Sequence, residues 1–443
     1  MSVPLDRLYN FLYGIANRDD LLIYQFFPHG SRKLEDLNDM FTTKESRTWK
    51  DFMIRPCMIM HDQEPLMYYL YTKQDFKQYL ERNRHELYPT ALIDVVSDLH
   101  LRACIHSTTN VYDQILLCHS EQNSKDFDLY QQHGFIGVYY WSHALLARDW
   151  YRHANVDPKL TVNFENITHD FLIYNRAWGG TREYRLTLAE MLANNNLISC
   201  CRTTFASVDN QLQYTQHKFA NSDLAISRDD LHELYVPNAH TANASADYNN
   251  QDYATSAVEV VLETLFDDQR HHLTEKTLRP IACGRPFILA STPGSLRYLK
   301  QYGFETFDGL IDETYDTILD PRQRLEAIVQ EIKRISCLDQ DQKRLLWSKM
   351  YAIADRNKQL FFSAQWHNRI VQEFKDNFES AMDQLTVTGL HQDKLDAIAS
   401  SNDPEMIRWR NFVRPGMPTP EDRKQITNWI KEFNLRKAQR PLV

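Results

Sequence analysis

Two segments in the second half of the chain carry charged side chains at spacings suited to binding an anion. The first is Thr274-Glu275-Lys276-Thr277, which opens a short predicted helix that ends at Gly284. A lysine there would lie beside free backbone amides, and both could meet a phosphate. The neighbouring carboxylate could take both hydroxyls of a ribose. The alternative is a helix cap with an exposed charge pair, which spacing alone favours.

The second segment places three arginines after a predicted strand at 171–174. Arg176 lies in the following turn, and Arg182 and Arg185 lie three residues apart near the start of the next predicted helix. That spacing puts the last two on one helix face. Guanidinium groups at the end of a strand are costly unless they meet anions, so the segment predicts ligands for a diphosphate. Ion pairs with the abundant Asp and Glu are the alternative.

A candidate general base lies in the first third of the chain. A carboxylate or a histidine can act as a general base, which removes the proton of a reacting hydroxyl group. Asp62 and Glu64 follow a predicted strand and alternate with Gln63, so in an extended chain they point the same way. Either Glu64 or Asp62 is therefore the predicted base, and a capping acid beside a turn proline is the alternative.

Three further polar side chains trail predicted strands and are candidates for holding an acceptor through hydrogen bonds: His119, Glu121 and His143. The carboxylate pair in Asp126-Phe127-Asp128 could instead bind a divalent metal, but it lies between a predicted loop and helix. We therefore expect no metal ion and no other cofactor.

The elements that must position these residues are short apolar runs alternating with helical stretches. Such runs are predicted at 21–27, 56–60, 115–118 and 135–140, and again at 171–174, 256–262 and 286–290. This alternation predicts an α/β fold whose parallel sheets are covered on both faces. In such sheets the ligand site lies at the carboxyl ends of the strands, where the polar residues are. The polar segment from about 209 to 252 predicts loops with short elements. From residue 321 onward the pattern is helical.

Composition limits the other possibilities. The chain has 443 residues, which indicates two or three domains, and 43% hydrophobic residues with 25% charged residues, which is ordinary for a globular protein. Only 12 glycines are present and no G-x-G occurs, so neither a dinucleotide fingerprint nor a Walker A loop is available. Seven scattered cysteines without C-x-x-C, no leader pattern and no long apolar run predict a cytoplasmic protein without a membrane span.

The segment T-E-K-T-x-R-P-I-x-x-G-x-P-F, followed by P-G-S-L and G-F-x-T-F, resembles the donor-binding half of GT-B glycosyltransferases. It is most similar to fucosyltransferase-like and phage-encoded enzymes, and the turn at 174–185 resembles the first strand-to-helix turn of that half. In that group the acid binds the donor's ribose and the lysine approaches its phosphates. The resemblance therefore implies these roles for Glu275 and Lys276.

The resemblance implies a metal-independent glycosyltransferase with two Rossmann-like domains facing across a cleft, and a nucleotide sugar as its donor substrate. The expected domains are an acceptor-side domain at 1–165, a nucleotide-sugar domain at 170–375 and a helical tail at 376–443. The expected donor ligands are Arg176, Arg182, Arg185, Glu275, Lys276 and Thr277. The acceptor that the resemblance implies is a hydroxymethylated pyrimidine in phage DNA or a surface glycan. A non-catalytic sugar-binding protein of the same fold is the alternative.

A DNA acceptor would need contacts to the nucleic-acid backbone. Basic residues around the donor segment and in the tail could supply them: Arg279, Arg285, Arg297 and Lys300, and Arg408, Arg410 and Arg414. The alternative is that they belong to solvated helix faces, which the net charge of −9 favours.

Overall fold

The computed structural model describes residues 6–16, 21–26, 57–61, 65–66, 115–132, 135–227, 231–236 and 247–385, with positions 402 and 435. It is an α/β protein with two four-stranded parallel sheets, which confirms the predicted fold class at that level. The described residues within 1–8 and 142–371 form one compact unit, and those within 9–141 and 372–443 form another. The predicted domain limits stay predictions.

The first sheet belongs to the unit formed by the described residues within 9–141 and 372–443. Its strands are β1 (Leu22–Phe26), β2 (Cys57–His61), β3 (Ile115–His119) and β4 (Ile136–Tyr139), hydrogen-bonded in that order and all parallel. Helices α1 (Asp6–Ala16) and α2 (Lys125–Gln132) are also described. Met58, Leu116 and Cys118 are fully buried, as expected for strands covered on both faces. The four predicted strands are confirmed to within one residue.

The second sheet is built from β5 (His169–Ile173), β6 (Cys201–Thr203), β11 (Ser256–Leu262) and β12 (Phe287–Ala290), in the order β12-β11-β5-β6. All three strand pairs are parallel. Strand β11 is buried along its whole length, which matches its continuous apolar run. The predicted strands at 171–174, 256–262 and 286–290 are confirmed, whereas the short edge strand β6 was not predicted.

Eight helices are described from residue 142 onward. They are α3 (Ser142–Trp150), α4 (Tyr184–Asn194), α5 (Asn250–Thr255), α6 (Glu275–Cys283), α7 (Ser295–Gln301), α8 (Pro321–Ser336), α9 (Gln340–Phe362) and α10 (Ala364–Gln384). Helix α6 packs against α3 and α9, and α4 packs against α8. The predicted helical pattern after 321 is confirmed through 384, and the predicted tail beyond 385 lies outside the described residues apart from two positions. Within the described ranges, no helix is both long enough and apolar enough to span a membrane.

Four short strands lie between β6 and α5. Strand β7 (Phe205–Ala206) pairs in parallel with β10 (Tyr235–Val236), and β8 (Val208–Asp209) pairs with β9 (Leu212–Gln213) as a hairpin. Asn210 and Gln211 form its two-residue loop, and both have positive φ, as tight hairpins require. The prediction of loops with short elements is confirmed for the described part of this segment.

The strand order of the second sheet creates a switch point between β5 and β11. From β5 the chain passes through α4 to β6 on one side, and from β11 it passes through α6 to β12 on the other. Right-handed crossovers in opposite directions place α4 and α6 on opposite faces of the sheet. The loops after β5 and β11 therefore separate at the carboxyl edge, which is where open α/β sheets bind ligands.

Candidate functional site

A buried arginine holds the two sides of the switch point together. Arg185, in the first turn of α4, is 2% exposed. Its Nη1 donates to the carbonyl of Ala177 after β5 (2.5 Å), and its Nη2 donates to the carbonyls of Leu262 (2.7 Å) and Glu263 (3.0 Å) at the end of β11. The hydrogen bonds of these terminal nitrogens go to the main chain. The predicted diphosphate ligand Arg185 therefore serves as a framework residue in this geometry.

Two neighbours of Arg185 extend this framework. The Tyr184 hydroxyl donates to the Glu263 carbonyl (2.7 Å), and its ring stacks on Phe266 at 4.2 Å. Burial raises the pKa of Tyr184 to about 12, so the hydroxyl keeps its proton at neutral pH. Arg324 donates to the carbonyls of Ser291 and Phe266. The loops after β11 and β12 are thus fixed through main-chain oxygens.

The turn after β5 is fixed in a similar way. The Asp209 carboxylate accepts from the amides of Trp178 (2.9 Å) and Gly179 (2.6 Å), and the Trp178 indole donates to the Ala206 carbonyl (2.9 Å). Gly180 has a φ of 63°, in the left-handed region that glycine adopts without strain. This anchored turn carries Arg176 and leads to Arg182.

Arg176 and Arg182 differ from Arg185 in having no structural task. Arg176 is exposed and Arg182 is half-buried, and neither side chain forms a hydrogen bond or ion pair with any residue that the structure describes. Burial lowers the pKa of Arg185, and the nearby charge of Arg182 lowers it further. The charge of Arg182 thus repels that of Arg185, and an anion bound by the half-buried Arg182 would relieve this repulsion.

The start of α6 is occupied by a carboxylate from the protein itself. Glu263, fully buried at the end of β11, accepts from the amides of Thr274 (2.9 Å) and Thr277 (3.3 Å) and from both threonine hydroxyls. The amide of Lys276 donates to the Thr274 hydroxyl. The expectation of free amides for a phosphate at this helix start is therefore wrong for these three positions. Thr277, a predicted donor ligand, is fully buried and gives its hydroxyl to Glu263.

Glu275 and Lys276 form a compact ionic group beside that cap. The Lys276 ammonium lies 2.9 Å from Glu275 Oε1 and donates to the hydroxyls of Thr274 (3.2 Å) and Thr264 (3.4 Å). The lysine side chain is 15% exposed and the glutamate side chain 7%. Thr264 is the second residue after β11, so the ammonium lies on the β11 side of the switch point.

His143 joins the same group, although it was predicted to hold an acceptor. Its Nε2 lies 3.4 Å from Glu275 Oε2, and its ring makes an edge contact with His272 at 5.4 Å. His143 is 4% exposed and is the second residue of α3, in the unit that carries the second sheet. The structure thus brings one predicted acceptor ligand together with one predicted donor ligand.

The remaining predicted acceptor ligands lie in the other unit. His119 and Glu121 are buried after β3, where the His119 ring stacks on Phe127 at 4.0 Å and its Nδ1 accepts from the Glu121 amide. Glu121 Oε1 accepts from the amide of Leu66. The predicted bases Asp62 and Glu64 lie outside the described residues.

The alternative metal site is not supported by helix geometry. Asp126 and Asp128 both lie in the first turn of α2, and residues two apart on a helix do not face each other. Among the described residues, no group of three or more His, Cys, Asp or Glu side chains is placed to hold a metal ion.

Two of the basic residues suggested for nucleic-acid contact are interior. Arg279 is 3% exposed and bonds to the buried Glu259, and Arg285 is 1% exposed and donates to the Leu160 carbonyl at 3.0 Å. The prediction that Arg279 and Arg285 touch a nucleic-acid backbone is therefore wrong, because a buried guanidinium with protein partners cannot reach a phosphate.

No protein-family model, curated protein or solved structure matches this chain. The chemistry of the site is therefore argued from its own residues. At the switch point these are two arginines without a described partner, a partly exposed lysine and a buried glutamate. This combination suits a ligand that carries both negative charge and hydroxyl groups.

Glu263→Gln should lower the free energy of unfolding by about 2–4 kcal/mol, because one carboxylate oxygen becomes an amide group that cannot accept hydrogen bonds. The wild-type carboxylate accepts five of them, four from the start of α6 and one from the amide of Thr264. Urea denaturation measures the change. The control is Glu326→Gln, in an exposed ion pair with Arg322, which should alter stability by less than about 0.5 kcal/mol. Equal effects of the two substitutions would refute the capping role.

Proposed function

We propose that the chain is a metal-independent glycosyltransferase of the GT-B type, which moves a sugar from a nucleotide-diphosphate sugar to a hydroxyl acceptor. The observation that carries the proposal is the pair Arg176 and Arg182 at the switch point of the second sheet. Their charges have no partner among the described residues, in a place where α/β sheets bind phosphorylated ligands. The two-domain GT-B arrangement is part of the proposal.

In this proposal the two arginines bind the diphosphate. As the bond between the anomeric carbon and the phosphate oxygen breaks, negative charge develops on the departing nucleoside diphosphate. The backbone of the turn after β5, which carries Arg176 and leads to Arg182, is anchored by Asp209, so only the two side chains need to adjust to the developing charge. Lys276 adds a third positive charge from the β11 side of the switch point, and Glu275 balances part of that charge.

Glu275 is assigned to the ribose of the donor. Its two carboxylate oxygens already contact Lys276 and His143, at 2.9 and 3.4 Å. A carboxylate can accept hydrogen bonds from both hydroxyls of a ribose through its two oxygens. The same contacts fix the carboxylate's orientation before the donor arrives.

The acceptor half of the reaction is assigned to the other unit. A carboxylate, Glu64 or Asp62, removes the proton of the acceptor hydroxyl, and the resulting oxygen nucleophile attacks the anomeric carbon. His119 and Glu121 remain the proposed acceptor ligands. The acceptor is a hydroxymethylated pyrimidine in DNA or a glycan.

A thermal-shift screen of nucleoside diphosphates and nucleotide sugars tests the proposal. A ligand that binds only the folded protein stabilises it by about 2.7 kcal/mol at 100 times its dissociation constant, so one nucleotide series should raise the melting temperature. The nucleotide sugar found in this way is then assayed for release of nucleoside diphosphate with DNA and glycan acceptors. If no compound in the screen shifts the melting temperature, the proposal fails. Binding without turnover would instead support a non-catalytic sugar-binding protein.

A further inference from the structure

A buried asparagine at the switch point has a side chain without a partner. Asn175 follows β5 by two residues and is 1% exposed. Its backbone amide donates to the Thr204 hydroxyl (3.2 Å), so its main chain is anchored. Neither Oδ1 nor Nδ2 of its side chain has a hydrogen-bond partner among the described residues.

This arrangement is unfavourable in the absence of a ligand. Burying an amide without hydrogen bonds forfeits its interaction with water and gains nothing in return. The same unit shows the usual solution at Asn357, which is 2% exposed. Asn357 Oδ1 accepts from the Glu305 amide (2.9 Å), and its Nδ2 donates to the Glu305 carbonyl (2.8 Å). Asn175 is therefore an exception that calls for an explanation.

The position of Asn175 supplies that explanation. It directly precedes Arg176, and two residues later the Ala177 carbonyl is held by Arg185 at the switch point. An unpartnered buried amide thus lies beside an exposed guanidinium that also has no described partner. A buried polar group without a partner in the chain calls for a partner outside it, such as a bound ligand or an ordered water.

We propose that Asn175 is a further ligand-binding residue, which makes the site selective for hydroxyl-bearing phosphate esters over bare anions. An amide needs one acceptor for its N–H group and one donor for its oxygen. A phosphate oxygen serves the first, and a sugar hydroxyl serves the second. A bare anion leaves Oδ1 unpaired, whereas a nucleotide sugar satisfies both atoms. This inference rests on the proposed function, because it adds a residue to the proposed donor site.

The stability of the ligand-free protein gives the first test. Asn175→Leu, which removes an unpartnered amide at similar volume, should change the melting temperature by less than about 2 °C or raise it. The matched substitution Asn357→Leu removes two satisfied hydrogen bonds and should lower the melting temperature by about 5 °C or more. If the two variants lose stability equally, the Asn175 amide has partners within the protein and the inference is overturned.

Ligand affinity gives the second test, by calorimetry with the nucleoside diphosphate that binds wild type best. Asn175→Leu should weaken binding of that nucleotide by about 10- to 100-fold, since two hydrogen bonds are lost. Sulfate can accept from the Asn175 Nδ2 but has no proton at neutral pH to give to Oδ1, so its affinity should fall by only about 3- to 10-fold, measured by competition against the nucleotide. Equal losses for sulfate and nucleotide, or no loss for either, would overturn the inference. If no nucleoside diphosphate binds the wild-type protein, the proposed function fails as well.

Discussion

Replacing both Arg176 and Arg182 with alanine should abolish sugar transfer and weaken nucleoside diphosphate binding by about 100-fold or more, since each charged hydrogen bond contributes about 1.5–3 kcal/mol. The fold should be unaffected. Neither side chain forms a hydrogen bond or ion pair with a described residue, so their removal leaves no buried group unpaired. We therefore expect a melting temperature within about 1 °C of wild type.

Calorimetry with a nucleoside diphosphate, together with a turnover assay, measures these effects. Arg344→Ala is the control, because Arg344 is an exposed arginine whose ion pair with Glu165 (2.9 Å) is also on the surface. That variant should keep full affinity. Lys276→Ala should likewise abolish transfer, but it removes the cation that balances the buried Glu275, so its stability must be measured in parallel. Unchanged turnover in both Arg182→Ala and Lys276→Ala would refute the assignment of these cations to the donor's diphosphate.

Arg185→Met should lower the free energy of unfolding by about 3–5 kcal/mol, although Arg185 is only three residues from Arg182. The substitution keeps most of the side-chain volume but removes the donors to the carbonyls of Ala177, Leu262 and Glu263. Those oxygens lie at a buried junction of two loops. Leaving them without donors costs the desolvation free energy of each.

Chemical denaturation is the appropriate measurement, because it reports stability whether or not a ligand is known. Arg202→Met serves as the control, since Arg202 is about half exposed and pairs with Asp252 near the sheet's edge strand. That substitution should cost less than about 1 kcal/mol. A similarly small effect at Arg185 would show that the two loops are held together by other contacts.

The sequence allowed the sheets to be predicted because their strands are distinct apolar runs. The strand predicted at 256–262 is observed with those limits, and the helix expected at Glu275 begins there and ends at Cys283 before Gly284. Strand β6 was missed because it has only three residues and a single buried one, Cys201. Such a strand is defined by its pairing with β5 and not by its own composition.

The side chains of the site were only partly predictable. Arg182 and Arg185 carry the same side chain. Arg185 is a framework residue because it donates to the carbonyls of Leu262 and Glu263, which lie far along the chain, and its own sequence context does not show this. Glu263 was missed because it precedes the helix that it caps by more than ten residues, and an acid after a strand followed by T-x-x-T is the pattern that could reveal it. No sequence pattern marks Asn175, because the burial of its side chain and the lack of hydrogen-bond partners are visible only in the folded structure.

The arginine that joins the loops after β5 and β11 has a consequence for how such a protein can diverge. Arg185 donates to backbone carbonyl oxygens, which every amino acid provides. Its hydrogen bonds therefore do not depend on the side chains of Ala177 and Leu262. A lineage or a laboratory selection can therefore exchange the side chains of Arg176, Arg182 and Lys276, which lie on these loops or directly after them, to suit a new substrate while keeping the same scaffold. Natural variation should accumulate at those positions sooner than at Arg185 itself.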